Sequence, residues 1–265
     1  MDFEILRSMY NDTERVDALY RIMKEDTRLN HSKAASVEFI TTTTYIEKYL
    51  KEGDRILDLG AGAGEYSLYF ARKGYEVSSV ELASANIEAF QNKITKEDKI
   101  QLIHGNALDL SCFKENSFDV VLLLGPLYHL SKEEDRQKCI AEAKRVLKPT
   151  GTIFFAFILN DMVILTEFYY RPKFFLENSY DHKTFKVEDF PFVFLTVEKT
   201  REMLKTAGIR IRKEVASDGV SELLEDKINA MDDESFKQYL KYHLYCCEKP
   251  EMLGRSNHLL TIGEK

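Results

Sequence analysis

Apolar and polar residues follow two different rhythms along this chain, and the change of rhythm predicts its architecture. In the first 50 residues, apolar side chains recur every three or four positions, as at Val16, Leu19 and Met23, which is the spacing of one helix face. From residue 55 onward, short apolar runs alternate with amphipathic stretches of helical period. Such alternation is typical of parallel strands joined by helices. We therefore predict a helical N-terminal cap over residues 1–50 and an α/β core after it.

Seven apolar runs have the length and composition of strands. They are residues 56–60, 77–80, 100–104, 120–124, 152–159, 209–215 and 259–263. The helix after the fourth run begins with a capping-box pattern, in which Ser131 and Glu134 would satisfy each other's backbone amides. It is expected to end at residues 148–151, where Pro149 and Gly151 indicate a break and a turn.

Two segments lie outside this pattern. Residues 160–194 contain ten aromatic residues in 35, and this density indicates apolar surface that needs cover. The segment follows the fifth strand at the edge where open α/β sheets bind ligands, so it is either a lid or substrate-pocket wall, or ordinary packing on the core. Residues 222–247 are predicted to form a helical insertion that packs beside it.

Three alternate glycines follow the first strand. Gly60, Gly62 and Gly64 read G-x-G-x-G, and glycine lets a backbone turn sharply and approach a ligand closely. Glu65 stands where the dinucleotide fingerprint G-x-G-x-x-G would place its third glycine, which argues against a nicotinamide or flavin cofactor. The second strand ends in Glu81, 21 residues after Gly60, the separation at which an acidic side chain meets ribose hydroxyls. The pair indicates a nucleoside-binding site.

With these residues the chain resembles the class I S-adenosylmethionine-dependent methyltransferases, whose first motif is a strand, an acidic residue and a G-x-G-x-G turn. The resemblance extends from residue 53 to about 219 and resumes at 256–265, and it includes IHGNALDL, FDVVLLLGPLYHL and RVLKPTGTIFFAF. It implies a Rossmann-like three-layer sandwich whose seven-stranded, mostly parallel sheet has its last strand antiparallel between the fifth and sixth. The expected single domain comprises the cap (1–50), a cofactor-binding half (51–159), the lid segment (160–194) and a C-terminal half (195–265) that carries the helical insertion.

The resemblance implies S-adenosylmethionine as the cofactor and S-adenosylhomocysteine as its product. Glu81 would accept from the ribose hydroxyls, and Leu82 would lie against adenine. Asn106 stands where many relatives have Asp, and it keeps a carbonyl acceptor for the adenine amino group. Asp58 is expected to act indirectly, by orienting the turn through its amides. The predicted cofactor-binding residues are Asp58, Gly60, Ala61, Gly62, Gly64, Glu81, Leu82, Asn106, Ala107, Leu124 and Gly125.

The acceptor site is expected beyond the fourth strand, at residues 124–129. Methyltransferases that act on adenine or glutamine amines carry an Asp or Asn and two prolines there, whereas this chain has Gly125 and one proline. Tyr128 and His129 are the predicted catalytic residues, because they offer a hydroxyl and a group that titrates near neutrality. The alternative is that His129 caps the next helix and Tyr128 closes over the cofactor. The predicted substrate-contacting residues are Tyr10, Arg28, Tyr128, Tyr169 and Tyr170, with Arg28 suited to a carboxylate or phosphate.

Composition restricts the partners. There are 37 basic and 44 acidic residues, and no Lys/Arg cluster stands out, so a nucleic-acid partner is not expected. The N-terminus lacks a basic segment followed by an apolar core, and no apolar run reaches the ~18 residues of a membrane helix. We therefore expect a cytoplasmic monomer or homodimer with no membrane partner. Four cysteines without C-x-x-C spacing predict neither a metal site nor disulfides.

Methyl transfer from a sulfonium is an in-line displacement in which positive charge disappears, so alignment and exclusion of water matter more than a strong base. We predict transfer from S-adenosylmethionine to nitrogen or oxygen of a small molecule. Three alternatives stay open: a non-catalytic S-adenosylmethionine-binding protein, an arsenite methyltransferase that uses Cys246 and Cys247, and a dinucleotide oxidoreductase.

Overall fold

In the computed structural model of the chain, residues 3–23 and 27–265 are described, so residues 1–2 and 24–26 of the predicted cap lie outside the described residues. The strands are β1 (Arg55–Leu59), β2 (Glu76–Glu81), β3 (Ile100–His104), β4 (Phe118–Leu123), β5 (Leu147–Leu159), β6 (Phe194–Leu195), β7 (Arg210–Ala216) and β8 (His258–Glu264). The helices are α1 (Phe3–Arg7), α2 (Asp12–Tyr20), α3 (Lys33–Glu47), α4 (Glu65–Arg72), α5 (Ser84–Gln91), α6 (Glu133–Val146), α7 (Asn160–Tyr170), α8 (Val197–Thr206), α9 (Glu225–Asn229), α10 (Asp233–Cys246) and α11 (Pro250–Leu253).

The eight strands form one sheet in the order β3-β2-β1-β4-β5-β8-β7, and β6 pairs with the end of β5. Strands β1 to β6 pair in parallel, whereas β8 is antiparallel to both β5 and β7. The predicted α/β class and the antiparallel insertion of the last strand are therefore confirmed. The sheet has one strand more than predicted, because β6 is only two residues long and leaves no apolar run to detect. The order reverses between β1 and β4, which places a crevice at the carboxyl ends of these strands.

Alternate residues of the central strands face two separate helical layers. Leu57 and Leu59 pack with α6 and α8 on one face, whereas Ile56 packs with α3 and α4 on the other. All three side chains are fully buried. A strand that is covered on both faces needs apolar residues on both of its sides, and this explains Ile56, Leu57 and Leu59 in β1, where Asp58 is the one buried polar position. The sandwich holds the carboxyl end of β1, where the glycine turn starts, in a fixed position.

The predicted capping box at α6 is wrong. Lys132 is the N-cap of this helix, and its side chain makes no capping bond. Ser131 instead bonds to Asp12 of α2, which accepts from the Ser131 backbone N at 2.7 Å and from its hydroxyl at 3.0 Å. A carboxylate from a distant part of the chain thus replaces Glu134. The predicted turn at 148–151 is also wrong, since β5 begins at residue 147 and is irregular where it pairs with the start of β4.

The lid segment has an inner and an outer part. Phe174, Tyr180 and Val187 are buried in one cluster with Tyr128 of the fourth-strand loop. Other aromatic rings of the segment remain exposed to solvent, among them those of Phe168 and Phe175. The interpretation as ordinary packing therefore describes the inner part, which also supports the loop after β4.

The helical insertion packs mainly against α3. Asn229 at the end of α9 accepts from the backbone N of Ala34 at 3.0 Å, and Lys33 donates to the carbonyl of Met231. Contact with the lid segment comes from Glu222, before α9, which bonds to Tyr170. Within residues 3–23 and 27–265, none of the helices has the length and apolar composition that crossing a membrane requires.

Candidate active site

A cleft lies at the carboxyl ends of β1 to β4, under α2, and encloses about 960 Å³ of space that is partly open to solvent. The structure brings to it most of the residues selected from the sequence. The cleft is lined by Arg28, Asp58, Gly60, Ala61, Gly62, Glu81, Leu82, Asn106, Ala107, Leu124, Gly125, Tyr128 and His129.

The glycine turn is fastened to the second strand. The backbone N–H groups of Gly60 and Ala61 both donate to the carbonyl of Val80, at 2.8 and 3.2 Å. Gly60 and Gly62 have φ values of +69° and +56°, a region that favours glycine. A Cβ on Gly60 would also lie 2.8 Å from the Pro126 side chain. The turn therefore needs glycine both for its conformation and for its contact with the loop after β4.

Gly64 has a different role from the other two glycines. It is the N-cap of α4, with φ +85°, and it does not line the cleft. A Cβ there would lie 2.2 Å from the ring of Phe90 on α5. Gly64 was predicted to bind the cofactor, but in the structure glycine is needed there because the backbone packs against Phe90 behind the turn.

Glu81 joins the turn to the start of the next helix. Its carboxylate, 4% exposed, accepts from the backbone N of Gly62 at 2.8 Å and from that of Ala83 at 2.7 Å. Asn86 donates to it at 3.3 Å. Burial raises the pKa of this carboxyl above its usual range, while the backbone donors act in the opposite direction. These bonds hold the carboxylate at the cleft wall, where the sequence placed a ribose acceptor.

Asp58 lies buried beneath the turn. The hydroxyl of Ser67, in the first turn of α4, donates to it at 2.6 Å, and Ser67 and Ser79 lie 2.8 Å apart between hydroxyl oxygens. Burial, with a smaller contribution from the charge of Glu81, raises the pKa of Asp58 to about 7. Asp58 thus orients the turn through α4, not through the turn amides that the sequence suggested.

Helix α2 lies over the cleft and bonds to three loops. Asp17 accepts from the backbone N of Ser84 after β2 at 2.8 Å, and Thr13 accepts from the Asn106 amide after β3 at 3.3 Å. Asp12 holds Ser131 after β4, as described above. Asn106 also accepts from the backbone N of Leu108 at 2.9 Å, so its carbonyl already has one partner. Asp12, Thr13 and Tyr20 line the cleft and were absent from the predicted set, since helical periodicity does not reveal which distant loop a helix will meet.

His129 is enclosed by aromatic rings. Its ring centroid lies 5.4 Å from Tyr20, 5.0 Å from Tyr128 and 5.2 Å from Phe192, and its Nε2 lies 2.9 Å from the Tyr20 hydroxyl. The residue is 7% exposed. Burial, with help from the positive charge of Arg15, lowers the pKa of His129 to about 3. The expectation that it titrates near neutrality is therefore wrong, and at physiological pH the ring is neutral and a weak base.

Tyr128 and Arg28 are the two predicted substrate residues that the structure places in the cleft. The Tyr128 hydroxyl donates to the carbonyl of Leu124 at 3.0 Å. Arg28 makes a two-point ion pair with Glu38 of α3, at 2.8 and 3.4 Å. The Arg28 guanidinium is thus already paired with the Glu38 carboxylate, which occupies donors that were predicted to bind a substrate anion.

The other three predicted substrate residues do not line the cleft. Tyr10 is 98% exposed between α1 and α2. Tyr169 and Tyr170 are 47% and 54% exposed on the outer side of α7. The aromatic count of these segments did not indicate which rings would turn toward solvent.

Cys246 and Cys247 are also outside the cleft lining. Both are buried at the end of α10, and the Cys247 sulfur lies 3.4 Å from the Tyr45 hydroxyl. Nothing in this arrangement favours arsenite chemistry.

A charged network continues from Arg28 into the protein. Glu38 lies 3.5 Å from His258 Nδ1, which donates to Asp218 at 2.7 Å. Burial alone would lower the pKa of His258, but the charges of Glu38 and Asp218 outweigh it and raise the pKa to about 9. Ligand atoms of these three residues lie within 4.8 Å of one another. The proton on His258 and the Arg28 guanidinium already balance the carboxylates, so we assign no metal here.

Replacing His258 with glutamine is expected to lower the free energy of unfolding by about 2 kcal/mol near neutral pH. A histidine whose pKa is raised on folding stabilises fully below its unfolded pKa of 6.5, and this contribution is lost as the pH rises through about 9. Urea unfolding of the wild type and the variant should therefore differ at about pH 6 and converge at about pH 10. Exposed His182 provides a control, because His182→Gln should show no such convergence. If the wild type and His258→Gln differed by the same free energy of unfolding at both pH values, the protonated His258 would not be the source of the stabilisation.

The core of the chain matches a known family. Residues 57–155 match the family described as "Methyltransferase domain". The YqeM protein of Bacillus subtilis is 33% identical over 114 residues, which are 43% of this chain and 46% of that protein. The chain matches less than half of the length of the YqeM protein and of two further curated relatives.

Solved structures resemble the chain over nearly its whole length. The PH0226 protein of Pyrococcus horikoshii covers 93% of this chain and 98% of its own, with a TM-score of 0.61 and 19% identity. The 1,6-didemethyltoxoflavin-N1-methyltransferase of Burkholderia thailandensis, solved with 1,6-didemethyltoxoflavin and S-adenosylhomocysteine bound, covers 96% of this chain and 86% of its own, with a TM-score of 0.56 and 13% identity. At these identities the likeness establishes the fold.

Proposed function

We propose that this chain is a class I S-adenosylmethionine-dependent methyltransferase that transfers a methyl group from S-adenosylmethionine to nitrogen or oxygen of a small molecule. The match of residues 57–155 to the methyltransferase-domain family supports the proposal. The reaction of the whole chain and its acceptor are the proposal.

The observation that carries the proposal is the convergence of the glycine turn, Glu81, Leu82 and Asn106 on one cleft that also contains Tyr128. The turn would meet the methionine part and ribose, the Glu81 carboxylate would accept from the ribose hydroxyls, and the Leu82 side chain would face adenine. The turn follows β1, Glu81 and Leu82 lie at the end of β2, Asn106 follows β3 and Tyr128 follows β4. These strands are parallel neighbours, so the residues meet at one edge of the sheet without any rearrangement.

The charges of the cleft suit a cationic ligand. Of the acidic residues that line it, Asp12 is paired with Arg15 at 2.6 Å, and Glu65 with Lys93 at 2.6 Å. For Asp58 and Glu81, the described part of the chain supplies hydroxyl, amide and backbone donors but no basic side chain. Two buried carboxyls without a cation favour a positively charged partner, and a sulfonium is such a partner.

The residues of this chain would act mainly by positioning. Bound S-adenosylmethionine supplies the electrophilic methyl group. The turn and Glu81 hold the nucleoside end, α2 covers the cleft and excludes water, and the rings of Tyr20 and Tyr128 limit the directions from which an acceptor approaches. Alignment of the acceptor with the methyl group needs no charged catalytic side chain.

Calorimetric titration tests the cofactor. We expect S-adenosylmethionine and S-adenosylhomocysteine to bind with micromolar dissociation constants, which correspond to about −8 kcal/mol, and NAD to show no binding. Binding of NAD alone would favour the dinucleotide oxidoreductase, and absence of all binding would contradict the proposal. A chain that binds both sulfur ligands but methylates no small amine, phenol or heteroaromatic ring would match the non-catalytic alternative.

A further inference from the structure

We propose, on the basis of the function proposed above, that the acceptor is an uncharged aromatic molecule that presents an unprotonated nitrogen, as an aromatic amine or a heteroaromatic ring does. Carboxylated, phosphorylated and alkylammonium acceptors would then be poor ones. Three features of the acceptor end of the cleft lead to this class.

The first feature is the aromatic wall. The acceptor end lies between α2 and the loop after β4, and it is lined by the rings of Tyr20, Tyr128 and His129. The centroid of the His129 ring lies 5.4 Å from that of Tyr20 and 5.0 Å from that of Tyr128. Tyr66, from α4, is buried and lines the same cleft. Ring faces stack on or meet the edges of other rings, so these walls suit a planar acceptor.

The second feature is that charges near this end are already paired. Arg28, the basic residue among those described that line the cleft, is held by Glu38 at 2.8 and 3.4 Å. An anionic acceptor would compete with Glu38 for this guanidinium, and a displaced Glu38 carboxylate would keep His258 Nδ1 at 3.5 Å as a cationic neighbour. Exchanging one partly buried ion pair for another gives little net gain. Among the described residues that line the cleft, Arg28 therefore gives a carboxylate or phosphate little advantage.

The third feature is that His129 and Tyr66 at this end are poor bases. His129 is neutral and weakly basic because burial lowers its pKa to about 3. Burial also raises the pKa of Tyr66 well above its usual range, so its hydroxyl keeps its proton. The two carboxyls with raised pKa values, Asp58 and Glu81, are bonded to Ser67 and to the backbone of the turn at the cofactor end. An alkylammonium of pKa about 10 would therefore enter protonated and without a lone pair.

The step balances without a protein base. The ring nitrogen's lone pair forms the new N–C bond as the C–S bond breaks, and the pair from that bond stays on sulfur. The sulfonium becomes a neutral thioether, and the positive charge passes to the product nitrogen. Where that nitrogen carries a hydrogen, the methylated cation loses its proton to water after transfer.

Matched ligands test this inference on protein saturated with S-adenosylhomocysteine. At about pH 8 an imidazole ring is neutral and an alkylamine is protonated. We expect benzimidazole to bind at least about tenfold more tightly than benzimidazole-5-carboxylate. When labelled S-adenosylmethionine replaces the product, benzimidazole should be methylated at least about tenfold faster than benzylamine, whose nitrogen is protonated. Equal or tighter binding of the carboxylate, or equally fast methylation of benzylamine, would overturn the inference while the proposed function stands. Failure to bind S-adenosylhomocysteine would instead overturn the proposed function.

A variant tests the role assigned to Glu38. Glu38→Gln removes the charge that holds Arg28, so the guanidinium becomes available to the carboxylate of the ligand. The ratio of the affinity for benzimidazole to the affinity for benzimidazole-5-carboxylate should therefore fall at least about fivefold. Glu47→Gln is the matched control, since Glu47 lies on the same helix and pairs with Lys73 outside the cleft. It should leave the ratio unchanged. An unchanged ratio in a folded Glu38→Gln protein would contradict the second feature, and the wild-type ligand comparison remains decisive if that variant does not fold.

Discussion

Replacement of Glu81 by alanine is expected to weaken the binding of S-adenosylhomocysteine at least about a hundredfold. The substitution removes the carboxylate that accepts from the backbone N of Gly62 at 2.8 Å and of Ala83 at 2.7 Å. Hydrogen bonds to a charged group contribute about 1.5–3 kcal/mol each, so losing these two releases the turn as well as the proposed ribose contact. Calorimetric titration gives the dissociation constant directly.

The matched control is Glu76→Gln, at the exposed start of the same strand. Glu76 lies 3.7 Å from Arg55 and is outside the cleft, so affinity should be unchanged. Thermal melting of both variants separates a loosened site from an unfolded protein. If the Glu81→Ala protein melts cooperatively and binds S-adenosylhomocysteine as tightly as the wild type does, Glu81 is not part of the cofactor site.

Gly64→Ala is expected to destabilise the fold by about 3 kcal/mol. The added Cβ would lie 2.2 Å from the Phe90 ring, and the residue would keep a φ of +85°, which costs roughly 1–2 kcal/mol for any side chain. Urea unfolding measures the change in the free energy of unfolding.

Gly53→Ala separates the two causes. Gly53 has φ +83°, and a Cβ there would meet nothing within 4 Å, so the control should show the backbone cost alone, about 1 kcal/mol. Adding Phe90→Leu to Gly64→Ala should remove part of the clash, so that the two substitutions together cost less than their sum. Equal losses from Gly64→Ala and Gly53→Ala would show that Phe90 does not constrain this position.

The core could be predicted from the sequence because its signals are local. The apolar run at 120–123 and the apolar residues before and after the buried Asp58 in β1 are what a strand covered on both faces requires. A strand end followed by glycines fixes where the ligand-binding turn starts. Ten of the eleven cofactor residues that the family resemblance implied line the cleft. The exception, Gly64, obeys a packing constraint from Phe90 that lies 26 positions further along the chain.

The remainder depends on contacts between distant segments. Ser131 has a local partner in the sequence pattern, Glu134, but Asp12 takes its place from 119 positions away. His129 has an ordinary pKa by residue type, and it is burial among the rings that surround it in the fold, together with the charge of Arg15, that lowers that pKa. Likewise, Arg28 was predicted to meet a substrate anion, whereas Glu38 occupies its guanidinium. Burial and partner choice are properties of the assembled protein and leave no periodicity in the chain.

The contacts of α2 with three loops have a kinetic consequence. Asp12, Thr13, Asp17 and Tyr20 each hold a loop at the end of β2, β3 or β4, so a nucleoside seated beneath this helix leaves only when several of these bonds open together. Opening of a short segment held by a few polar bonds is a local event, separate from unfolding of the sheet. The residence time of the spent cofactor would then report how often α2 opens, and product departure would limit turnover while the chemical step itself is fast.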